Sequence, residues 1–83
     1  MPYISKELRD PLYYESETNK PESAGELNYV ITMLCARYLF DNGEGYAAHN
    51  EIIGALECAK LEFYRRMTAP YEDTKIKENG DVY

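Results

Sequence analysis

The stretch from Ser23 to Gly43 constrains this chain most, because it reads as one long helix that is apolar on two sides. Ser23 and Glu26 stand three apart, the spacing of a capping box in which each side chain satisfies the other residue's free amide. Asp41-Asn42-Gly43 supplies an exit suited to a left-handed C-cap. Between them Leu27, Ile31, Leu34 and Tyr38 fall at i, i+4, i+7 and i+11 as a continuous stripe. Tyr29, Met33, Ala36 and Phe40 form a second stripe on roughly the opposite side. A helix apolar on both sides must be covered on both sides. A chain of 83 residues has little material to do that, being near the lower size limit at which one core holds a chain folded alone. The second stripe therefore reads as a subunit interface, with cover by the N-terminal arm as the alternative.

Gly43-Glu44-Gly45 is a short connector, and a connection this short sets two helices antiparallel. The helix that follows carries Ile52, Leu56, Ala59 and Phe63 as a narrow stripe, broadened by Ile53 and Met67. Laid on the Leu27/Ile31/Leu34/Tyr38 stripe it gives a helical hairpin core. His49 lies near the start of this second helix with no evident acid, cysteine or serine partner, so it reads as a surface or capping residue. Pro70 breaks or kinks the pattern. Thr68 can then cap a short third helix through Ile76 and Lys77, ended by Asn79-Gly80. Glu72 and Asp73 near its start and Lys75 and Lys77 near its end suit the helix dipole.

Upstream, Asp10-Pro11 is a reasonable helix start, but Ser16 to Glu22 is polar and proline-ended and reads as a linker. At most a short helix near 10–16 is expected, with Ile4, Leu8 and the Tyr13/Tyr14 pair docking on the main body. The sum is an all-α chain. A single small domain over 1–83 contains an antiparallel hairpin of about 23–42 and 47–68, a short C-terminal helix of about 69–79 and a weakly ordered arm over 1–22. Oligomerisation completes it.

Charge and composition narrow the function classes. A net charge of −6 argues against nonspecific binding to a phosphate backbone, so nucleic acid is not an expected partner. Cys35 and Cys58 lack metal-ligand spacing and read as small core thiols in a reduced compartment; one histidine leaves no basis for a zinc site. No apolar run approaches membrane-spanning length and MPYISKELRD is not a signal peptide, so a soluble, cytoplasmic protein is expected. There is no Gly-rich phosphate loop, HExxH, or Ser/His/Asp arrangement; the expectation is a non-enzyme with no catalytic residues and no cofactor.

Against this acidic background, Lys60, Arg65 and Arg66 cluster beside Tyr64 and Tyr71. Helical spacing puts Arg66 at the border of the Ala59/Phe63 stripe and Arg65 about 100° further round. An arginine there can close the hairpin by pairing with Glu26 or Glu62. It can instead receive a ligand's phosphate or carboxylate bidentately while tyrosine rings stack on the ligand. Arg37, between the two stripes of the first helix, is equally ambiguous. Candidate ligand-binding residues are thus Arg66, Arg65, Lys60, Arg37, Tyr64 and Tyr71. Candidate interface residues are Tyr29, Met33, Phe40 and the terminal pair Val82 and Tyr83, which could dock in a groove of the same or a neighbouring subunit.

LNYVIT (27–32), IIGALECAKLEFYRR (52–66), APYEDTKI (69–76) and ENGDVY (78–83) together resemble a family of short proteins of tailed phages and of bacteria carrying phage-derived genes. Members begin MPYI and end in a word close to APYEDxKIxENGDVY. Relatives carry a longer amphipathic helix after Asp10-Pro11, which ESETNKPES interrupts here. The resemblance implies a helical phage-type protein of the host bacterial cytoplasm and brings no established activity. Two function classes follow. One is a homo-oligomer that sequesters a nucleotide-derived immune signal, a cyclic oligonucleotide or a cyclic ADP-ribose derivative, in inter-subunit Tyr/Arg pockets. The other is a protein–protein interaction module that inhibits or adapts a host or phage protein.

Overall fold

The computed structural model describes residues 4–17 and 20–83, with side chains for 4–12 and 20–83. The described residues form α1 (Lys6–Glu17), α2 (Ala24–Asn42), α3 (Tyr46–Phe63) and α4 (Ala69–Asn79), with a π-helical turn, Tyr64–Thr68, between α3 and α4. The all-α expectation holds, and α2 and α4 start and stop within a residue of where the sequence placed them. The chain divides into two compact units, Met1–Ile52 and Ile53–Tyr83.

In the first unit, the N-terminal helix departs from expectation. It begins at Lys6 and carries Pro11 in its interior, so Asp10 is not its cap. Pro11 cannot donate to the carbonyl of Glu7, a loss of about 3 kcal/mol in a helix interior. Lys6, Glu7, Leu8 and Arg9 are good helix formers, and they carry the helix a full turn upstream of the proline. Leu8 N–H donates to the Ser5 carbonyl at 3.1 Å, and Arg9 Nε reaches the Ile4 carbonyl at 3.2 Å. The expected docking of Ile4 and Leu8 does not occur, since both are exposed; the side chains of Tyr13 and Tyr14 lie outside the described residues.

At the start of α2, Ser23 Oγ accepts the Glu26 amide at 3.1 Å, and the serine hydroxyl donates to the Glu26 carboxylate at 3.2 Å. The carboxylate thus meets the hydroxyl of its capping partner. The helix ends where Gly43 takes φ 79° and ψ 137°, a region closed to residues with a Cβ. Asn42 Nδ2 secures the last turn by donating to the Tyr38 carbonyl at 2.9 Å. Beyond the turn, Tyr38 Oη donates to the Glu51 carboxylate, thirteen residues on. In a continuous helix those residues would stand about 20 Å apart. Their bond therefore requires the chain to fold back after Gly43, and it closes the turn end of the hairpin. Ala48, beside this closure, is the one described residue that is buried.

The core differs from expectation. Leu27, Ile31, Leu34 and Tyr38, read as the covered stripe, are all exposed, at 49%, 38%, 66% and 40%, a range that brackets Met33 of the opposite stripe at 47%. Burying a Leu or Ile fully contributes about 1.5–3 kcal/mol. With about half of each side chain still exposed, Leu27, Ile31 and Leu34 leave roughly 2–5 kcal/mol unrealised, a large share of a typical domain stability of about 5–15 kcal/mol.

The second unit is a single helical run. Pro70 does not break it, and Thr68, expected as a cap, has helical dihedrals and no side-chain capping bond. A proline ring conflicts with the carbonyl four residues back, here that of Arg66. The backbone widens instead: Ala69 N–H donates to the Tyr64 carbonyl, five residues back, and α4 continues without a gap. It stops as expected at Asn79-Gly80, with Gly80 at φ 86° and its amide on the Ile76 carbonyl at 2.8 Å.

Candidate functional site

The basic cluster of α3 and the π turn is held along its own helix by carboxylates one turn away. Lys60 Nζ lies 3.0 Å from Glu57 Oε1. Arg65 Nη2 lies 3.2 Å from Glu62 Oε2, and Arg66 Nε 3.4 Å from Glu62 Oε1, so one half-sheltered carboxylate serves two guanidinium groups. Of the partners weighed from the sequence, Glu62 is the one used; Glu26 is engaged at its own helix start with Ser23. Arg37, in the other unit, donates through Nε to Asp41 at 2.8 Å. These cations are about two-thirds to three-quarters exposed. Exposed pairs one helical turn apart contribute about 0.3–0.5 kcal/mol each, so an incoming phosphate or carboxylate could displace them.

The tyrosines are engaged too. Tyr64 Oη donates to Glu72 on α4, and accepting that proton, the carboxylate holds the Tyr64 phenol above its ordinary value near 10. Glu51 raises Tyr38 in the same way, first through the hydrogen bond and then through slight desolvation and its charge. The Tyr71 ring has the Lys75 ammonium 5.6 Å from its centre, within the range of a cation–π contact. Lys60, Tyr64, Arg65, Arg66 and Tyr71 thus lie along one helical run in the second unit.

Glu51, Glu72, Asp41 and Lys75 are partners of Tyr38 and of the candidate residues Tyr64, Arg37 and Tyr71 that sequence reasoning missed. The Arg37/Asp41 and Tyr71/Lys75 pairs have i,i+4 spacing and could have been found from it. Tyr64/Glu72 and Tyr38/Glu51 could not, since one depends on a π turn and the other on a chain reversal. His49, read as lacking an acid, has Nε2 4.0 Å from a carboxylate oxygen of Glu44 and remains on the surface.

The candidate interface residues are open. Tyr29, Met33 and Phe40 are exposed along α2, Phe40 to 85%. Val82 and Tyr83 are exposed as well. Asp81 turns the last residue back by accepting the Tyr83 amide at 2.9 Å. No helix among the described residues is long and apolar enough to cross a membrane. Chemically, the arrangement offers paired cations beside aromatic rings, and apolar helix faces with room for a partner.

The sequence matches the family model described as a domain of unknown function (DUF6899) over residues 1–82. No curated protein and no solved structure matches the chain.

Proposed function

The chain belongs to the family of the domain of unknown function DUF6899, and from that premise and its open apolar faces we propose that it is a non-enzymatic binding protein whose core is completed by association, most directly with copies of itself. One observation carries this reading: α2 is apolar on two sides, and both sides are exposed. Exposed apolar surface beyond isolated residues marks interaction sites. Association between copies would bring the Tyr29/Met33/Phe40 stripe and the Val82-Tyr83 tail against neighbours. A host or phage protein as the partner, inhibited or adapted by this chain, is the heterologous form of the same reading.

A second reading is that Lys60, Arg65, Arg66, Tyr64 and Tyr71, with Arg37, receive a nucleotide-type ligand without turning it over. Supporting it, Arg65 and Arg66 share the Glu62 carboxylate through exposed ion pairs, and tyrosine rings lie along the same helical run. For a phage-derived protein in a bacterial cytoplasm this becomes a sponge for a nucleotide immune signal, a cyclic oligonucleotide or a cyclic ADP-ribose derivative.

Size-exclusion chromatography with light scattering tests the first reading, with a mass above 9.6 kDa expected; a strict monomer overturns self-association. A thermal-shift panel of cyclic nucleotides and ADP-ribose derivatives tests the second. Arg66→Ala is expected to change stability by no more than about 0.5 kcal/mol, because its ion pair is exposed, while abolishing any nucleotide-dependent shift. If no nucleotide stabilises the protein, the sponge is ruled out and association stands alone.

A further inference from the structure

A π turn closes its hydrogen bond over five residues where an α turn closes over four, so it takes up one extra residue. Everything beyond it is then displaced by one helical position, about 100°. That displacement explains a contact that α-helical geometry does not allow. Tyr64 and Glu72 are eight residues apart. In an uninterrupted α-helix they would stand about 80° apart around the axis and about 12 Å apart along it. With one residue absorbed in the turn, Glu72 takes the place of a seventh residue, within about 20° of Tyr64. The Tyr64–Glu72 hydrogen bond is the mark of that shift.

The same shift acts on Tyr71. It sits eight residues beyond Phe63 and, with the turn between them, comes into line with it. Phe63 lies on the apolar edge of α3 with Leu56, and both Phe63 and Tyr71 are exposed. Pro70 drives the widening through its missing amide and the conflict of its ring with the Arg66 carbonyl.

We infer that Pro70 and the π turn are a phase-setting device: they align α4 on α3 so that Phe63 shares a helix face with Tyr71 and Tyr64 with Glu72, and the Tyr64–Glu72 bond is the consequence of that alignment. An aromatic edge and a polar edge then run across the junction instead of ending at it. The device does not depend on whether the chain associates or binds a nucleotide.

Nuclear Overhauser contacts in the full-length chain test it. The wild-type protein is expected to show a contact between the Tyr64 ring and the Glu72 side chain. Pro70→Ala, which lets 64–68 return to α, is expected to lose that contact and gain one between Tyr64 and Tyr71, the seventh residue in the new register. Combining Pro70→Ala with deletion of Thr68 removes the extra residue outright and is expected to restore the Tyr64–Glu72 contact without a π turn. Tyr64→Phe is expected to keep the π turn, read from backbone carbon shifts. Persistence of the Tyr64–Glu72 contact in Pro70→Ala, its absence in the deletion variant, or loss of the π turn in Tyr64→Phe would each overturn the inference.

Discussion

In Met1–Ile52, Tyr38 and Glu51 meet across a turn from thirteen residues apart. In Ile53–Tyr83 the pairs Lys60–Glu57, Arg65–Glu62, Lys75–Glu78 and Tyr64–Glu72 span three to eight residues along one helical run. The first unit needs the chain to reverse, so its integrity rests on a turn and on what covers α2. The second needs only its own backbone phase. A single helical run supplies no second layer from within itself, and isolated helices of such length are marginal without packing on an apolar face. The two units thus share one deficit, uncovered apolar surface, with different local means of keeping shape.

A charge placed on the second stripe of α2 should separate the units most sharply. If Met33 lies against another copy, Met33→Glu leaves an unpaired carboxylate at a buried site, a loss of about 3–5 kcal/mol. The expected outcome is dissociation to monomer with a lower urea midpoint; an unchanged mass and midpoint would mean that this stripe faces solvent in the working protein.

The two glycines with positive φ probe the turn that only the first unit has. An added Cβ would meet nothing within 4 Å at Gly43 or at Gly80, so any loss on substitution by Ala is conformational. Gly43→Ala is expected to destabilise by about 1–3 kcal/mol, because the hairpin cannot close without that turn. Gly80→Ala, with three residues beyond it, is expected to fray the tail and move the global midpoint far less. Equal losses in thermal unfolding would break the distinction.

The smallest effect is on pH dependence. The folded chain holds the phenol protons of Tyr38 and Tyr64 more tightly than an unfolded chain would. Stability from these bonds is therefore complete below about pH 10, the unfolded value, and is lost as pH rises through the raised folded values. Tyr38→Phe should flatten the alkaline decline of hairpin stability, and Tyr64→Phe should act only on the second unit. Urea midpoints between pH 8 and pH 11 check this; a decline as steep in Tyr38→Phe as in wild type would remove Tyr38 as its source.

Part of this structure was legible in the sequence. The limits of α2 followed from Ser23, Glu26, Asn42 and Gly43, whose side chains and backbone act locally, and the end of α4 from Asn79-Gly80. The start of α1 was not legible because Asp10-Pro11 has the pattern of a first turn, whereas the helix formers before it begin the helix at Lys6 and carry it through the proline. The junction at Pro70 was missed because a proline can be met by widening a helix as well as by ending one. Of the candidate site, the Glu62 pairing was anticipated; Glu72 was not, because its place beside Tyr64 exists only in the π register. Periodicity marked both apolar sides of α2 and left open what covers them, since cover depends on other surfaces and not on local spacing.

The concentration dependence of unfolding bears most directly on the central claim that this chain completes its core by association. Folding coupled to assembly makes the midpoint depend on protein concentration by mass action. Circular dichroism melts over a hundredfold dilution series should show the midpoint falling steadily as the protein is diluted. A sharp, cooperative transition whose midpoint stays constant across the series, with a light-scattering mass of 9.6 kDa throughout, would contradict it.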